Sequence, residues 1–506
     1  MTRILLTGKT GSGKTEYIIT KTKEFIENFH RVFHVVPLTS LKSDIYHRYK
    51  AKYGEIVGRE YDEKRKIFVL TYHEYNQVLT KKPVLFYDVV VFDEFHTIIE
   101  PFFTHVVYSA IKNTKSFYQE YLISATPVPL DFITIDERID LKSNYESKFT
   151  IEKIGMSDIT YIIKTNLEQN KTGFDYVGSI SNTVNKAIKY AELSPHKGDK
   201  YETDDPILSK LLEKKVAFIS SNLTFKDRDL IMKLLEDKEI KLLLTTTSIN
   251  YGIDVDFDYA IFESDLYLDR IRTEQFFGRV GRRRQGTIYI VNGLNIEREP
   301  RKLVIDSDIE DFARLIALDE EYLCQKYPSL CRSSILKEVA YHLVHPKMAE
   351  MILNLDLRNI DDKEYMICVT AMLKKQSLDM KEECAKNYEI VADRETYDLI
   401  DDWINLRKKK LNGTEIKQIN ELSYLAHILG VMKSEKYDKL SIAIKYGIRY
   451  EDVDKLVELL KVPYIGRMRA YKLYERGITM ENICERYADV KEIMGKIADK
   501  IFRILC

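Results

Sequence analysis

Two groups of residues, far apart in the chain, have side chains suited to phosphate chemistry. Glycines in a loop let successive backbone N–H groups converge on phosphate oxygens at the start of a helix. The first group is such a glycine-rich stretch, formed by Gly8, Lys9, Thr10, Gly11, Ser12, Gly13, Lys14 and Thr15. Lys14 would reach the β- and γ-phosphates of a nucleotide, and Thr15 would ligate Mg²⁺. The structural alternative is a glycine-rich turn without chemical consequence.

The second group is the segment from Gln275 to Arg282, with the sequence QFFGRVGR. A guanidinium is always charged and its planar fork matches phosphate oxygens, so Arg279 and Arg282 are candidate arginine fingers. Gln275 would help to orient an attacking water. The alternative is a basic surface loop that binds anions nonspecifically, and we prefer that interpretation for Arg283 and Arg284.

An acidic pair lies between these groups, at the end of an uninterrupted apolar run over residues 89–92. Asp93 is the expected partner of the metal ion. Glu94 is placed to polarise the attacking water, because phosphoryl transfer needs positioning, a metal ion and an oriented nucleophile. A solvated strand end is the alternative interpretation of this pair.

The elements that must position these residues follow from the apolar pattern. Short apolar runs alternate with helical stretches twice along the chain, which predicts parallel sheets with helices on both faces. The predicted strands are residues 4–7, 32–36, 67–70, 89–92 and 121–124, and then residues 174–177, 216–219, 241–245, 260–262 and 287–291. A strand and a helical pattern therefore flank the glycine-rich stretch, as a phosphate-binding loop requires. We predict an α/β fold with two tandem parallel-sheet domains, the first of which carries the phosphate-binding loop.

Several motifs, in sequence order, resemble those of superfamily 2 nucleic-acid helicases of the DExH type. Residues 93–96 (DEFH) resemble motif II, which implies catalytic roles for Asp93, Glu94 and His96. Residues 245–254 resemble motif V and residues 275–282 resemble motif VI. The resemblance implies ATP and Mg²⁺ as cofactors. It also implies nucleotide contacts at Gly252 and Asp254, and a motif III that couples hydrolysis to strand binding at Ser124, Ala125 and Thr126.

The predicted domains are a first RecA-like domain over residues 1–150, which binds ATP, and a second over residues 151–300. From about residue 300 the strand pattern fades and helical patterns with frequent charges follow. We divide this part into a helical accessory region, residues 301–460, and a helix-hairpin-helix-like module, residues 461–506. The family resemblance implies winged-helix and ratchet parts within the accessory region.

Polar residues in loops at the ends of the predicted strands are suited to a sugar–phosphate track. Contacts of this kind hold a nucleic-acid strand without reading its sequence. For Thr39 a helix cap is the alternative, and it is the one we prefer. The candidates are Pro37, Thr39, Ser40, Thr71, Ser179, Ser221, Asn222, Thr245 and Thr246.

The end of the chain resembles the C-terminal module of archaeal Ski-like DNA helicases, which act at replication forks. Two helical patterns joined by a turn predict phosphate contacts at Gly466 and Arg467. Tyr464 stands where the hairpin usually has its first glycine, so a purely structural helical cap stays open. Trp403 would stack on a base beside Arg407, although the apolar face of its predicted helix, residues 394–411, favours burial in a core.

The composition is typical of a soluble protein. The chain has 506 residues, 45% of them hydrophobic, and a net charge of −1, so affinity for a polyanion must come from local basic clefts. A strand directly after Arg3, and apolar runs too short for a membrane span, predict an intracellular, cytoplasmic protein, nucleoid-associated or of viral origin. We expect it to be a monomer. The cysteines form no C-x-x-C pair, which predicts reduced thiols, with a metal site at Cys324 and Cys331 as the alternative.

These features predict an ATP-dependent helicase that translocates on single-stranded DNA and couples hydrolysis to duplex unwinding. The family resemblance implies a 3′ to 5′ direction, with single-stranded or forked DNA as the partner. Alternatives within enzymes are an RNA helicase and a translocase that does not open duplexes. The competing class is a nucleic-acid-binding scaffold without ATPase activity, which the intact Lys14, Asp93, Glu94, Arg279 and Arg282 disfavour.

Overall fold

The computed structural model describes the chain except for residues 10, 82–83, 86, 102, 143–146, 179, 220–222, 224, 247–254, 267, 283, 333–334, 356–361, 375–393, 463–464 and 496. The described residues form two compact units, Met1–Ala317 and Leu318–Cys506. The first unit contains two sheets, and the described part of the second unit is helical.

The first sheet, with the helices that cover it, is called lobe 1. Its strands are β1 (Thr2–Thr7), β2 (Val32–Val36), β3 (Val57–Gly58), β4 (Ile67–Thr71), β5 (Val89–Asp93), β6 (Gln119–Ser124) and β7 (Glu137–Asp140). All pairings are parallel and the order is β3-β4-β2-β5-β6-β1-β7. Strands β2, β4 and β5 are buried along their whole length, as continuous apolar runs between two helical layers must be. The carboxyl ends of the central strands therefore meet at one edge.

Lobe 1 places a helix after most of its strands. The helices are α1 (Lys14–Glu27), α2 (Thr39–Tyr53), α3 (Tyr72–Lys81) and α4 (Thr104–Asn113), with 3-10 turns at Gly54–Ile56 and Phe95–Ile99. The buried side of α1 carries Ile18 and Phe25, which pack on the same apolar cluster as Val89 of β5 and Tyr121 of β6. This packing fixes the start of α1 above the carboxyl end of β1.

The second sheet, with its helices, is called lobe 2. Its strands are β8 (Phe149–Ile154), β9 (Gly173–Tyr176), β10 (Val216–Ile219), β11 (Leu242–Thr245), β12 (Tyr259–Phe262) and β13 (Gly286–Val291), all parallel, in the order β10-β11-β9-β12-β13-β8. Its helices are α5 (Ile159–Glu168), α6 (Ile180–Ala191), α7 (Pro206–Leu212), α8 (Phe225–Glu236) and α9 (Arg270–Phe277). An aromatic group at the centre of this lobe includes Phe174, Phe262 and Phe276, whose rings lie 5.6–5.9 Å apart.

The prediction of two parallel-sheet α/β domains followed by a helical region is confirmed. Each predicted strand is present with its limits shifted by at most two residues. The sequence did not predict β3, β7 and β8, which lie at sheet edges. Strands β7 and β8 are largely exposed, so their residues carry no apolar run to identify them.

A helix that follows lobe 2 packs against lobe 1. This helix, α10 (Ser307–Ile316), lies along α4. The Glu310 carboxylate accepts hydrogen bonds from Tyr108 at 2.8 Å and from Lys112 at 2.6 Å, and Asn113 Nδ2 donates to the Ala313 carbonyl at 2.9 Å. The chain therefore passes from lobe 1 to lobe 2, and the helix after lobe 2 returns to contact lobe 1.

The second unit, Leu318–Cys506, is a helical assembly. Its described helices are α11 (Glu320–Lys326), α12 (Pro328–Arg332), α13 (Leu336–Tyr341), α14 (Pro346–Leu353), α15 (Lys363–Lys374), α16 (Arg394–Ile404), α17 (Gly413–Met432), α18 (Lys436–Tyr446), α19 (Val453–Leu460), α20 (Arg467–Glu475), α21 (Tyr487–Met494) and α22 (Ile497–Leu505). Helices α17 and α18 form its most extensive contact, where Ser423 and Ser441 each donate to the other's carbonyl oxygen at 3.0 and 2.7 Å. In the described part of the chain, no helix is long and apolar enough to cross a membrane.

Two features of this unit differ from the sequence predictions. The helix predicted over residues 394–411 ends at Ile404, and Leu406 has a left-handed φ of 63°. Leu411 is therefore not part of that helical face. The prediction of reduced cysteines is wrong as well, because Cys324 is bonded to Cys331 and Cys484 to Cys506. The same pairing removes the alternative of a metal site at Cys324 and Cys331.

A buried carboxyl group in lobe 2 makes the stability of this lobe depend on pH. Asp175 lies on β9, in the interior of the sheet, and its oxygens have no hydrogen-bond partner among the described residues. Burial raises the pKa of Asp175 to about 7, against a smaller opposing effect of Lys186. Between its ordinary pKa and about 7, the folded chain holds a proton that the unfolded chain has lost. Stability therefore falls as pH rises through this window.

We predict that Asp175→Asn weakens this pH dependence and stabilises the chain at pH 8 relative to the wild type, on the order of 1 to 3 kcal/mol. The measurement is urea unfolding at pH 5 and at pH 8. Asp229→Asn, at an exposed position of α8, serves as the control and leaves the wild-type difference between the two pH values intact. Parallel pH profiles for Asp175→Asn and the wild type would contradict this assignment.

Candidate functional site

The loop between β1 and α1 is shaped by left-handed glycines. Gly11 and Gly13 have φ angles of 81° and 82°, which residues with side chains rarely adopt. Gly13 directly precedes α1, so the first N–H groups of this helix face the loop. A β-carbon at Gly8 would lie 2.6 Å from the Ser12 hydroxyl oxygen. The loop has the backbone shape of an anion cradle.

Lys14 points back into this loop. Its Nζ donates to the carbonyl oxygens of Gly8 at 2.7 Å and Lys9 at 3.1 Å. Burial lowers the pKa of Lys14, and the carboxylates of Glu94 and Asp93 oppose this shift. Ser12 Oγ is buried and has no hydrogen-bond partner in the part of the chain that the structure describes. Phosphate oxygens are acceptors for both groups, so the loop fits a nucleotide phosphate.

Asp93 ends β5 beside the start of α1. Its Oδ2 lies 3.5 Å from Thr15 Oγ1. A hydroxyl group and a carboxylate next to a phosphate site are the ligands that Mg²⁺ takes in nucleotide-binding loops. The predicted metal residues, Thr15 and Asp93, are therefore neighbours and fit this ion.

His34 contacts the same oxygen of the Asp93 carboxylate as Thr15 does, and the sequence did not predict it. It lies within β2 and is fully buried. Its Nε2 is 3.2 Å from Asp93 Oδ2 and its Nδ1 is 3.1 Å from the Tyr49 hydroxyl oxygen, so both ring nitrogens have partners. The signal in the sequence is a histidine inside an otherwise apolar strand, because a buried imidazole needs hydrogen-bond partners.

Glu94 adopts an unusual backbone conformation for a residue with a side chain. Its φ is 51°, in the left-handed region, and its N–H donates to Asp93 Oδ1 at 3.0 Å. Such strain persists where the surrounding structure enforces it, and functional sites are where it is concentrated. The turn brings Glu94 Oε2 to 3.2 Å from His96 Nδ1.

His96 connects the two lobes. Its Nδ1 lies 3.0 Å from Ser124 Oγ at the end of β6, and its Nε2 lies 3.0 Å from Gln275 Nε2 on α9 of lobe 2. An amide NH₂ group can only donate, so His96 Nε2 accepts and the ring proton lies on Nδ1. Ser124 Oγ in turn accepts from the backbone N–H of Thr126 at 3.0 Å. Four of the predicted catalytic and coupling residues, His96, Gln275, Ser124 and Thr126, thus form one hydrogen-bonded group.

Arg282 of lobe 2 lies against the glycine-rich loop of lobe 1. Its guanidinium carbon is 3.5 Å from the place where a β-carbon on Gly11 would be. Arg282 Nε donates to the Gly278 carbonyl at 2.7 Å, and the Arg282 N–H donates to Asp256 Oδ1 at 2.9 Å. Arg279 is buried in lobe 2, with 4% of its surface exposed. Of the two predicted fingers, the structure brings Arg282 to the phosphate loop.

The predicted nucleic-acid contacts in the lobes differ in exposure. Thr39 is exposed in the first turn of α2 and is not its N-cap, which is Leu38. Pro37 is buried. Thr71 is buried and its hydroxyl and N–H both bond the Glu74 carboxylate, at 3.1 and 2.7 Å, which caps α3. Thr245 and Thr246 are buried as well, so Thr39 is the one of these threonines that a strand in solvent can reach directly.

In the second unit, Trp403 and Arg467 contact each other. The Arg467 guanidinium lies 3.7 Å from the centre of the Trp403 ring, and Trp403 Nε1 donates to the Ile444 carbonyl at 2.8 Å. Arg467 also donates to the carbonyl oxygens of Gly447 at 3.1 Å and Lys408 at 2.6 Å. These contacts agree with packing, the interpretation that the sequence favoured for Trp403.

The other predicted contacts of this unit lie at its surface or at a helix start. Arg407 is exposed and pairs with Asp401 and with Asp402, the latter at 2.6 Å. Gly466 precedes α20 with an ordinary φ of −82°. The centre of the predicted hairpin turn, residues 463–464, lies outside the described residues, so the helix-hairpin-helix stays a prediction.

Several predicted site residues also lie outside the described residues. They are Thr10, Ser179, Ser221, Asn222, Gly252, Asp254 and Arg283, and nothing is described of the Ser40 side chain. Arg284, predicted to be a surface residue, pairs with Asp258 at 2.5 Å.

Comparisons with protein families identify both lobes. Residues 1–129 match the family described as Type III restriction enzyme, res subunit, and residues 194–284 match the Helicase conserved C-terminal domain. The ATP-dependent DNA helicase Hel308 of Methanocaldococcus jannaschii is 31% identical over 184 aligned positions, covering 33% of this chain and 14% of that relative. Hel308 of Thermoplasma volcanium is 22% identical over 608 aligned positions, covering 94% of this chain and 88% of the relative.

A solved structure has a similar fold. The DUF1998 helicase MrfA, in a crystal structure bound to DNA, aligns with a TM-score of 0.51 at 14% identity, over 64% of this chain and 56% of that one. At this identity the likeness concerns the fold. Together with the family matches, it confirms the predicted resemblance to superfamily 2 helicases, while the Ski-like character of the C-terminal part has looser support.

The turn that carries Arg282 depends on a glycine. Gly281 has a φ of 72°, and a β-carbon there would overlap the Lys148 carbonyl oxygen of lobe 2. We predict that Gly281→Ala lowers the free energy of unfolding by about 2 to 4 kcal/mol, because left-handed strain and steric overlap add. Gly293→Ala is the matched control, since Gly293 has a φ of 89° but open space around it. It should cost about 1 to 2 kcal/mol. The measurement is urea unfolding. Equal losses of unfolding free energy in the two variants would contradict the prediction, because the structure would then have shifted to relieve the overlap at residue 281.

Proposed function

We propose that this chain, which carries the paired motor lobes of superfamily 2 helicases, is an ATP- and Mg²⁺-dependent DNA helicase. The observation that carries the proposal is the composite site, in which Arg282 of lobe 2 reaches the phosphate loop of lobe 1. A site that needs both lobes links hydrolysis to their relative movement. Movement of that kind is what a translocating motor requires.

Each residue of the site has a role in this proposal. The loop amides and Lys14 bind the phosphates, and Lys14 exchanges its bonds to the loop carbonyls for phosphate oxygens. Thr15 and Asp93 hold Mg²⁺, which neutralises charge on the phosphates when bound. Glu94 polarises the attacking water, with Gln275 beside it. Arg282 stabilises the charge that develops as the terminal phosphate is transferred, a contribution typically of about 10³ to 10⁵ in rate.

Coupling between hydrolysis and the strand runs through His96 in this proposal. The imidazole bonds both Ser124 and Gln275, so a shift of lobe 2 changes the hydrogen bonds next to Glu94. Ser124 ends a strand of lobe 1 and is followed by Ala125 and Thr126 in the loop that motif III provides. This geometry supports the coupling role that the family resemblance implies for these residues.

DNA is the proposed substrate, with movement from 3′ to 5′ on one strand. Two relatives are named as ATP-dependent DNA helicases, and the similar fold of MrfA was solved with DNA bound. The same proposal includes a nucleic-acid track over both lobes and phosphate contacts from the helices around Gly466. It also includes domain limits at residues 150, 300 and 460. The family resemblance supports the direction of movement.

The proposal is tested by steady-state ATPase assays with no polynucleotide, with single-stranded DNA and with single-stranded RNA. Unwinding of duplexes with a 3′ or a 5′ tail follows. We expect stimulation by DNA and opening of the 3′-tailed duplex. Lys14→Ala and Glu94→Gln should lower turnover at least about 100-fold while strand binding survives, because they remove phosphate and water positioning alone. Stimulation by RNA alone, or hydrolysis without unwinding, would refute a DNA helicase.

His34 should tune the metal requirement of the same reaction. We predict that His34→Phe raises the Mg²⁺ concentration for half-maximal ATPase activity by about 10- to 100-fold, because Asp93 loses the partner that orients its carboxylate. The rate at saturating Mg²⁺ should change less. His30→Phe, outside β2, is the control, because His30 stacks on Tyr118 and does not bond Asp93. An unchanged Mg²⁺ curve for His34→Phe would exclude this role.

A further inference from the structure

A second contact joins the lobes beside the hydrogen bond between His96 and Gln275. Arg272 Nη2 of lobe 2 lies 2.9 Å from Glu100 Oε2 of lobe 1. The two side chains are 19% and 14% exposed, so solvent screens this ion pair less than a surface pair. Neither residue belongs to the motifs from which the site was predicted.

The two contacts lie on the same pair of elements. Arg272 and Gln275 are three residues apart on α9 and therefore share one face of the helix. His96 lies in the 3-10 turn Phe95–Ile99, and Glu100 directly follows that turn. The pairs run in opposite directions along the two elements, 96 with 275 and 100 with 272. Because Phe276 packs α9 into the core of lobe 2, the helix moves together with that lobe. One contact alone leaves lobe 2 free to rotate about it, whereas two contacts fix the direction of α9 relative to lobe 1.

Glu100 is held firmly within lobe 1. Its carbonyl oxygen accepts from the N–H groups of Phe103 and Thr104, at 2.8 and 3.0 Å, and from the Thr104 hydroxyl at 2.9 Å. These bonds begin α4, the helix that α10 also binds through Glu310. The backbone of Glu100 is therefore fixed at the corner between the 3-10 turn and α4, and its carboxylate extends from there to lobe 2.

Arg272 has a second carboxylate beside it, from its own lobe. Asp269 precedes α9 as its N-cap, accepts from the Arg272 N–H at 2.9 Å, and lies 3.8 Å from the Arg272 guanidinium through Oδ2. The guanidinium thus lies between two carboxylates, one in each lobe. Loss of Arg272 would leave these two negative charges facing each other, whereas loss of the Glu100 charge would leave a paired arginine.

The direction of α9 determines where Arg282 lies. The helix ends at Phe277, and the next residue, Gly278, accepts the bond from Arg282 Nε. A rotation of α9 therefore moves the finger relative to the glycine-rich loop. Displacements of about 1 Å at a reacting centre can cost up to about 100-fold in rate.

We propose that Glu100 and Arg272 are positioning residues. They fix the direction of α9 relative to lobe 1 and so place Arg282 for catalysis. This inference rests on the ATPase activity of the proposed function. The contacts described for Glu100 and Arg272 are with each other, with Asp269 and with the start of α4, so we expect the pair to act on the rate of hydrolysis and not on ATP binding. The pair is a feature of this chain that its helicase motifs do not specify.

The test is a double-mutant cycle with Glu100→Gln, Arg272→Gln and the double variant. We expect kcat to fall about tenfold in Glu100→Gln and further in Arg272→Gln, with KM for ATP within about twofold of wild type. Because the double variant also removes the facing charges, it should be no slower than Arg272→Gln. Arg272→Lys should restore part of the rate. Arg298→Gln, which breaks an exposed pair with Asp265 inside lobe 2, is the control and keeps wild-type kcat.

A second measurement decides the inference independently of hydrolysis. Fluorophores at Tyr118 of lobe 1 and Ile188 of lobe 2, both exposed, report the distance between the lobes by energy transfer. With a non-hydrolysable ATP analogue, Glu100→Gln should broaden this distance distribution and Arg298→Gln should not. A wild-type chain without ATPase activity would refute the proposed function. Two results would overturn the positioning role of Glu100 and Arg272. One is a distance distribution in Glu100→Gln identical to that of the wild type, and the other is a double variant whose loss of kcat equals the product of the two single losses.

Discussion

The imidazole of His96 accepts a hydrogen bond from one lobe while it bonds the other. The amide NH₂ group of Gln275 faces Nε2, so Nε2 is the acceptor and the proton lies on Nδ1. Contacts from both lobes therefore meet at this one ring, which lies next to Ser124 and Glu94. The other groups of the candidate site lie in lobe 1 or, like Arg282, on the loop that follows α9. His96 is therefore the residue that connects the two parts of the composite site.

The lysine of the candidate phosphate site has hydrogen-bond partners within its own loop. Lys14 donates to carbonyl oxygens of its own loop, and burial disfavours its charge while two carboxylates favour it. The approach of the Arg282 guanidinium adds positive charge to the same place. A phosphate group with several negative charges would balance these cations, so in the proposed function binding and closure of the lobes support each other.

Parallel sheets provide the frame for this chemistry. In both lobes the strands are parallel and the central ones are buried, so their carboxyl ends gather polar residues at one edge. The chain then returns through α10 to α4, where Glu310 bonds Lys112 and Tyr108. The element that follows lobe 2 is thereby tied to lobe 1, next to the corner where Glu100 lies. The second unit is organised around different contacts, among them the stacking of Arg467 on Trp403.

The sequence by itself determined the buried strands, and it predicted which residues form the candidate phosphate site. Apolar runs such as 89–92 identify interior strands because a strand covered on both faces must be apolar, and the Gly-Lys-Thr and Asp-Glu spacings reflect phosphate and metal geometry. Edge strands such as β8 left no such mark, since one of their sides faces solvent. Only the tertiary structure decided that His34 bonds Asp93, that Glu100 meets Arg272, and that Arg467 covers Trp403. These pairs lie 59, 172 and 64 residues apart, and no local pattern encodes contacts that arise where separate strands and helices come together.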